Sequence, residues 1–267
     1  MEVSGTVALV TGGGGGIGAG IAEALAEKGA KVAITDIDPA RADMEAARIG
    51  HGAIALPHDV TSPESWAETL AEVESRLGPV DVLCNNAGIS QAFKQLIDID
   101  QDEFARLMAV NVTGVFNGIR AAAPSMIARG KGHIVNTSSM NGLLPHGTFA
   151  AYTATKFAVA GMSEALEQEL GPSGVGVSIL YPGLTRSYMS EGQAGDMPKD
   201  VREILASRMM EPLWLGRAVA RAIEENTLHI ITHPAHEPQL SARFKSILDA
   251  HGEPAQPGYE GGAFSGK

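Results

Sequence analysis

The chain has one cysteine, Cys84, in the apolar run VDVLC. No intrachain disulfide can form, which fits a reducing compartment, and a buried small side chain is the expected role for Cys84. No stretch reaches the ~18 consecutive apolar residues of a membrane span. The opening MEVSGTVALV carries an acid where a signal peptide carries basic residues. Positive charge is scarce: 20 Lys plus Arg stand against 31 Asp plus Glu, net −11, with no basic block to track phosphates. A cytoplasmic protein with neither nucleic acid nor membrane as partner is expected. With 44% apolar and 19% charged residues the chain can bury a large core and does not have the composition of a disordered protein.

What is present in excess is glycine, 32 of 267 residues, and it falls at turns. Between the turns, short β-branched runs recur, each followed by a helical pattern: VALV (7–10), KVAIT (31–35), AIAL (53–56), VDVLC (80–84), HIVNTS (133–138), VGVSIL (175–180) and LHIIT (228–232). Near-continuous apolar strands joined by helices predict an α/β fold, a doubly wound parallel sheet of about seven strands with helices on both faces. Asp38-Pro39, Ser62-Pro63 and an Asp100/Glu103 capping box mark helix starts, and Gly29, Gly78-Pro79 and Gly171-Pro172 mark stops. No linker or repeat interrupts residues 1–251, read as one domain, and residues 252–267 form a Gly/Pro-rich tail.

The first strand runs into Thr11-Gly12-Gly13-Gly14-Gly15-Gly16-Ile17-Gly18 and then the small-residue helix AGIAEALAEK. Bare backbone at a helix start lets amide N–H groups approach a pyrophosphate. The run matches both G-x-G-x-x-G, at Gly13, Gly15 and Gly18, and T-G-x-x-x-G-x-G, at Gly12, Gly16 and Gly18. No Lys follows in the Walker position, which disfavours an ATP-type loop. Asp36 closes the second strand, where a carboxylate can accept both ribose hydroxyls of an adenosine and repel a 2′-phosphate. No Arg or Lys lies in the loop or directly after Asp36, so NAD is expected over NADP.

Tyr152 and Lys156 stand one helical turn apart in AAYTATKFAVAGMSEALEQEL, so both side chains leave one face. A phenol of pKa about 10 is a poor base at neutral pH, and a neighbouring ammonium favours its phenolate.

With Thr11 to Gly18, Asp59-Val60, Asn85-Asn86-Ala87-Gly88, Asn111, Ser139, Tyr152, Lys156 and Pro182-Gly183 in this order, the chain resembles the short-chain dehydrogenase/reductase family over about residues 4 to 250. The resemblance selects the T-G-x-x-x-G-x-G form and implies a Rossmann-type domain. It implies an NAD-dependent alcohol dehydrogenase or carbonyl reductase acting on a small-molecule alcohol or ketone. Tyr152 is then the general acid/base, and Ser139 holds the substrate oxygen. Ser138 could compete, but Ser139 has the family spacing and begins Ser-x-x-Gly with Gly142. Lys156 binds the nicotinamide ribose and favours the phenolate, and Asn111 holds a water that relays protons from Lys156 to solvent. Gly12, Gly15, Gly16, Ile17 and Gly18 line the pyrophosphate, with Asp36 and Ile37 at the adenosine ribose. Asp59 and Val60 flank the adenine, and Asn86, Ala87 and Gly88 shape the turn beneath the ribose. Pro182, Gly183 and Leu184 present backbone to the carboxamide. The family motif P-G-x-x-x-T ends here in Ser187, with Thr185 as a second hydroxyl candidate.

The segment after Ser187, residues about 187 to 215, reads as a substrate lid at the carboxyl ends of the strands. Tyr188, Met189, Met209, Met210 and Trp214, with Asn141, Leu143, Leu144, His146 and Phe149, could make an apolar pocket; equally, half of them could be core or subunit contact. His229, His233 and His236 with Glu237 lack a metal-ligand spacing, and no metal is expected. The stretch LHIITHPAHEPQLSARFKSILDA is similar to the ends of family members that oxidise bulky aryl alcohols from lignin breakdown, which points to a bulky hydrophobic secondary alcohol. The resemblance also implies a homo-oligomer, dimer or tetramer, paired through helices 103–128 and 152–170, where Ala154, Ala158 and Gly161 permit close approach. The alternative class is a dinucleotide-binding regulatory or structural protein without turnover. Intact Ser139, Tyr152 and Lys156 favour the enzyme, because a binding-only protein needs no matched proton donor.

Overall fold

In the computed structural model, which describes residues 1–190 and 199–252, each of the seven apolar runs supplies a strand. These are β1 (Val7–Thr11), β2 (Lys31–Asp36), β3 (Ile54–Pro57), β4 (Val82–Asn85), β5 (Gly132–Thr137), β6 (Val175–Tyr181) and β7 (His229–Ile231). All pair in parallel, in the order β3-β2-β1-β4-β5-β6-β7. The order reverses between β1 and β4, so a crevice opens at their carboxyl ends, where an open α/β sheet takes its ligands.

Strand side chains alternate between two cores. Val10, Ile34 and Val82 face Ile21 and Leu25 of α1 (Gly16–Glu27), the apolar side of α2 (Pro39–Ile49), and Val219 and Ile223 of α8 (Pro212–Glu225). Leu9, Leu83 and Ile134 face Trp66 of α3 (Pro63–Arg76), Ile119 of α5 (Gly114–Arg129) and Val159 of α6 (Ala150–Leu170). Each fully buried Leu or Ile side chain contributes roughly 1.5–3 kcal/mol of transfer free energy.

The punctuation is mostly as expected. Asp38 accepts from Ala40 N at 3.1 Å and Ser62 from Ser65 N at 3.0 Å, each just before a helix-starting proline. At α4 (Gln101–Met108), Asp100 accepts from Glu103 N at 2.7 Å, but the Glu103 carboxylate turns to Lys94 Nζ at 2.9 Å rather than completing a box. The expected helix 103–128 is two helices joined by a π-turn, Ala109–Thr113, which carries Asn111. Gly171 is helical and opens a short 3-10 turn; the left-handed residue that ends the segment is Gly174, φ +78°.

Two histidines, His58 and His133, are buried. His133 is 1% exposed and receives no proton from Ser178: that hydroxyl donates to Thr227 O at 2.6 Å, so it accepts from His133 Nε2 at 2.8 Å, which carries a proton. Desolvation pushes His133 and His58 down to about 4; at His58 the nearby Asp59 carboxylate opposes this. Unfolded, each ring takes up a proton near its ordinary value of 6.5. Their stabilisation is therefore complete above about pH 6.5 and declines as pH falls toward 4, by up to about 3 kcal/mol per ring. Urea unfolding midpoints measured between neutral and mildly acidic pH are expected to fall, and less steeply in His133→Gln.

The described chain divides into two compact units, Met1–His233 and the residues from Pro234 on. The second unit holds a 3-10 turn, Pro234–His236, and α9 (Glu237–Asp249), which buries none of its residues fully. The tail residues 253–267 lie outside the described residues.

Candidate active site

Thr11, the last residue of β1, ties the glycine loop to the Asn85–Gly88 turn. Its hydroxyl accepts from Asn86 N at 3.0 Å and Ala87 N at 3.1 Å and donates to Cys84 O at 3.3 Å. Asn86 Nδ2 returns to Thr11 O at 3.0 Å and Gly12 O at 3.2 Å. Gly12 has φ +62°, and a Cβ there would lie 2.7 Å from Ala87 Cα, so only glycine fits. A Cβ on Gly18 would run into Gly12 O. At the start of α1, Gly15 contributes no capping side chain, so the first-turn amides have no side-chain acceptor of their own. The first-turn amides of this helix end suit a pyrophosphate.

Asp36 closes the adjoining side. Its Oδ2 accepts from Gly14 N at 2.9 Å and its Oδ1 from Asp38 N at 3.0 Å, leaving a lone pair on each oxygen toward the cleft. Arg41, one turn into α2, also lines the cleft and was not singled out from the sequence. Five residues beyond Asp36 on a helix that starts at Pro39, it faces back toward the strand end, a placement that helix geometry could have revealed. Its Nε pairs with Asp38 at 3.1 Å and its guanidinium stacks 4.3 Å over the Tyr188 ring, which lies against Gly15.

Farther along the cleft, Asp59 Oδ1 accepts from Thr61 N at 2.9 Å and Thr61 Oγ1 at 2.7 Å. Val60 O accepts from Trp66 Nε1 at 3.0 Å and Asn117 Nδ2 at 3.1 Å. Asp59 and Val60 are thus fixed by α3 and α5 with their remaining groups toward the cleft.

The cleft holds about 340 Å³ and runs from the glycine loop and Asp36 past Asp59, Val60 and Asn86–Gly88 to Tyr152 and Lys156. Both catalytic candidates leave one face of α6, with Lys156 Nζ 5.5 Å from the centre of the Tyr152 ring. Lys156 Nζ donates to Thr137 O at 3.0 Å. Burial pushes Tyr152 up to about 12, offset in part by the Ser139 hydroxyl bonded to it, and burial pushes Lys156 down to about 8. Each environment disfavours the lone charge, so a phenolate beside an ammonium is the arrangement that relieves both. Ser138 is engaged elsewhere, donating to Lys156 O at 2.8 Å, while Ser139 Oγ accepts from Asn141 N at 3.1 Å.

Asn111 is fully buried on the π-turn, its Oδ1 accepting from Ile89 N at 2.8 Å and its Nδ2 donating to Ile89 O at 2.9 Å and Thr155 Oγ1 at 3.1 Å. Its Oδ1 and Lys156 Nζ converge over Gly88, 3.3 and 3.5 Å from where a Cβ would sit.

Pro182 lines the cleft, and several polar groups of the Pro182–Leu184 backbone are engaged within the protein. Pro182 O accepts from Met140 N at 2.9 Å, Gly183 N donates to His233 Nδ1 at 3.0 Å, and Leu184 O accepts from Met210 N at 3.0 Å. Thr185 forms a parallel bridge with Met210 through the groups of its neighbours, so its own N–H and C=O point the other way. Its hydroxyl donates to Gly183 O at 3.1 Å. Ser187 lines the cleft, its hydroxyl accepting from Ser190 N at 3.1 Å.

Of the substrate-side candidates, Tyr188 and Met189 line the cleft. Phe149 lies 6.4 Å from Tyr152, with His146 at 5.5 Å and Phe93 at 4.7 Å from Phe149. Phe93 was missed because it sits in an irregular loop with no motif. Leu143 and Leu144 pack instead against the core of Met140, Ala160, Ile179 and Tyr181. Trp214 does not line the cleft: it stands at the start of α8 in a separate groove with Met210 and Ile230, its ring beneath Arg217. Residues 191–198 of the expected lid lie outside the described residues; α7 (Lys199–Arg208) follows them. Among the described residues no group of three metal-ligating side chains is gathered, and no helix is long and apolar enough to cross a membrane.

A parallel sheet with a bare glycine cradle, a carboxylate at the second strand and a Tyr/Lys/Ser cluster defines a nicotinamide dinucleotide-binding oxidoreductase. A family model described as short chain dehydrogenase matches residues 6–197, and the chain belongs to that family. It is 38% identical over 215 residues to a 3-alpha-(or 20-beta)-hydroxysteroid dehydrogenase of Mycobacterium bovis, covering 80% of this chain and 81% of that protein. A short-chain dehydrogenase from Novosphingobium aromaticivorans superposes with TM-score 0.86 at 36% identity, covering 97% of this chain and 91% of the other. A short chain dehydrogenase/reductase from Burkholderia phymatum, solved in complex with NAD, gives TM-score 0.86 at 27% identity over 96% of this chain and 99% of that one.

Proposed function

We propose that this oxidoreductase interconverts a secondary alcohol and a ketone with NAD, acting in the cytoplasm as a homo-oligomer on a bulky hydrophobic or aryl substrate. The observation that carries the reading is the convergence of Tyr152 and Lys156, with Ser139 bonded to the Tyr152 phenol, at the end of a cleft that begins at the glycine loop and Asp36. The bound nicotinamide would take up or give the hydride. Gly12, Gly15, Gly16 and Ile17 would hold the pyrophosphate, Asp36 the adenosine ribose, and Thr185 backbone the carboxamide. Tyr152 takes the hydroxyl proton in oxidation and returns it in reduction, while Ser139 orients the substrate oxygen toward it. Lys156 keeps the phenolate stable, and Asn111, with Gly88 bare between them, leaves room for a proton path away from Lys156. Oxidation therefore gains rate as pH rises through the Tyr152 ionisation, and reduction loses it.

NAD is favoured over NADP because Asp36 repels a 2′-phosphate and because the Arg41 charge is shared with Asp38 and stacked on Tyr188. The hydroxysteroid dehydrogenase relative and the Phe93, Phe149 and His146 ring cluster beside Tyr152 support a bulky, ring-containing substrate. Exposed Phe116 and Ile127 on α5 support subunit pairing there.

Parallel fluorescence titrations with NADH and NADPH, followed by absorbance screens of aryl and alicyclic secondary alcohols and their ketones, test the reading. NADH binding without turnover in either direction would favour a binding-only protein. Asp36→Ala is expected to weaken NADH by roughly tenfold and narrow its advantage over NADPH. An unchanged cofactor preference rejects the ribose assignment.

A further inference from the structure

Helix α6 carries Tyr152 in its first turn, yet the residue before that helix, Phe149, has no side-chain acceptor. The N–H of Tyr152, the third residue of the helix, belongs to the group that has no partner within a helix. Gln91 supplies one from another part of the chain. It stands in the loop after β4, is 2% exposed, and its Oε1 accepts from Tyr152 N at 2.8 Å. Its Nε2 donates to Thr148 O at 3.0 Å, on the other side of the same helix start. A single buried amide thus clamps both the residue that leads into α6 and the residue that bears the phenol.

We propose that Gln91 is the positioning residue for Tyr152: it caps α6 from outside and fixes the depth and direction at which the phenol meets Ser139. This rests on the reading of Tyr152 as the acid/base. The amide is suited to the place because it is neutral. An Asp or Ser cap at 149 would be the usual solution. A carboxylate in this position, however, would neutralise the positive helix end and oppose the phenolate of the residue whose N–H it accepts. Gln91 meets the hydrogen-bond requirement and leaves the positive end of the helix uncompensated. The other groups bearing on the phenol are Ser139, bonded to it, and the Lys156 ammonium 5.5 Å from the ring.

The test uses the full chain saturated with NAD and isotope-labelled at the tyrosine phenol carbon, with Tyr152→Phe identifying the Tyr152 resonance. Gln91→Glu keeps an oxygen acceptor but adds charge; the Tyr152 titration midpoint should rise by roughly half a pH unit or more while the other tyrosines stay in place. Gln91→Met removes the hydrogen bonds to Tyr152 N and Thr148 O together with the longer ones that Nε2 makes to Ala92 O at 3.4 Å and Lys94 O at 3.5 Å. It should displace or broaden the Tyr152 resonance selectively and lower kcat about tenfold, with KM and NADH affinity within about twofold. Identical Tyr152 titration in both variants overturns the proposal, as does a general change of all tyrosines with matching loss of NADH affinity. If Gln91→Met does not fold, Gln91→Glu decides alone by its midpoint. The resonance measurement needs no substrate, so failure of every alcohol and ketone in the wild-type screen would reject the proposed reaction without touching this result.

Discussion

Tyr152→Phe is expected to lower turnover by about a thousandfold or more in both directions, while NADH binds within about twofold of the native affinity. The substitution removes one oxygen. The ring keeps its place on α6, and Lys156 keeps its bond to Thr137 O at 3.0 Å. What is lost, on the proposed reading, is the group that carries the substrate proton. Ser139 cannot replace it, because a serine hydroxyl is far too weak an acid or base at neutral pH. Ser139→Ala is expected to cost less, since the proton donor remains and only the orientation of the oxygen is relaxed. Stopped-flow fluorescence gives the binding term and steady-state absorbance the turnover. Retained turnover in Tyr152→Phe would remove Tyr152 from the mechanism.

Trp66→Ala should have the largest effect on stability, about 3–5 kcal/mol, or a fall of about 10 °C in Tm. Trp66 is 1% exposed, packs edge-on to His58 at 4.4 Å and donates its indole N–H to Val60 O at 3.0 Å. Removing it opens a cavity between α3 and α5 and deprives His58 of the ring that shields it. Because the same indole anchors Val60, NADH affinity is expected to weaken roughly tenfold as well. A lower Tm with unchanged NADH affinity would show that Asn117, at 3.1 Å from Val60 O, suffices to hold the adenine wall.

Much of this was legible in the sequence, and the reasons differ by element. Strands such as VALV and VGVSIL announce themselves because a sheet covered on both faces needs unbroken apolar runs. The glycine loop is legible because positions like Gly12 exclude every other side chain. Arg41, Gln91 and Phe93 were not found. Gln91 and Phe93 act across long sequence gaps, Gln91 bonding to Tyr152 over sixty-one positions, and nothing local marks them, whereas Arg41 follows Asp36 on α2 at a place helix geometry could have revealed. Trp214 erred in the opposite sense: an aromatic within the expected lid suggested a pocket, but helix α8 turns it to a different groove. The Pro182–Leu184 backbone shows a third limit, because sequence cannot tell which amide and carbonyl groups the fold has already engaged.

The π-turn at Ala109–Thr113 makes α4 and α5 a helix with one residue too many. Each residue turns an α-helix by about 100°, so the extra one sets the two halves out of phase. Removing a residue there to regularise the helix would not simply shorten it. It would rotate everything on one side of Asn111 relative to the other, swinging either the Asn111 amide from its station beside Lys156 or the exposed Phe116 face of α5 from its bearing. The surface that faces outward and the residue that faces the cleft are thus held to a common angular setting, and a change in one cannot be made without re-indexing the other.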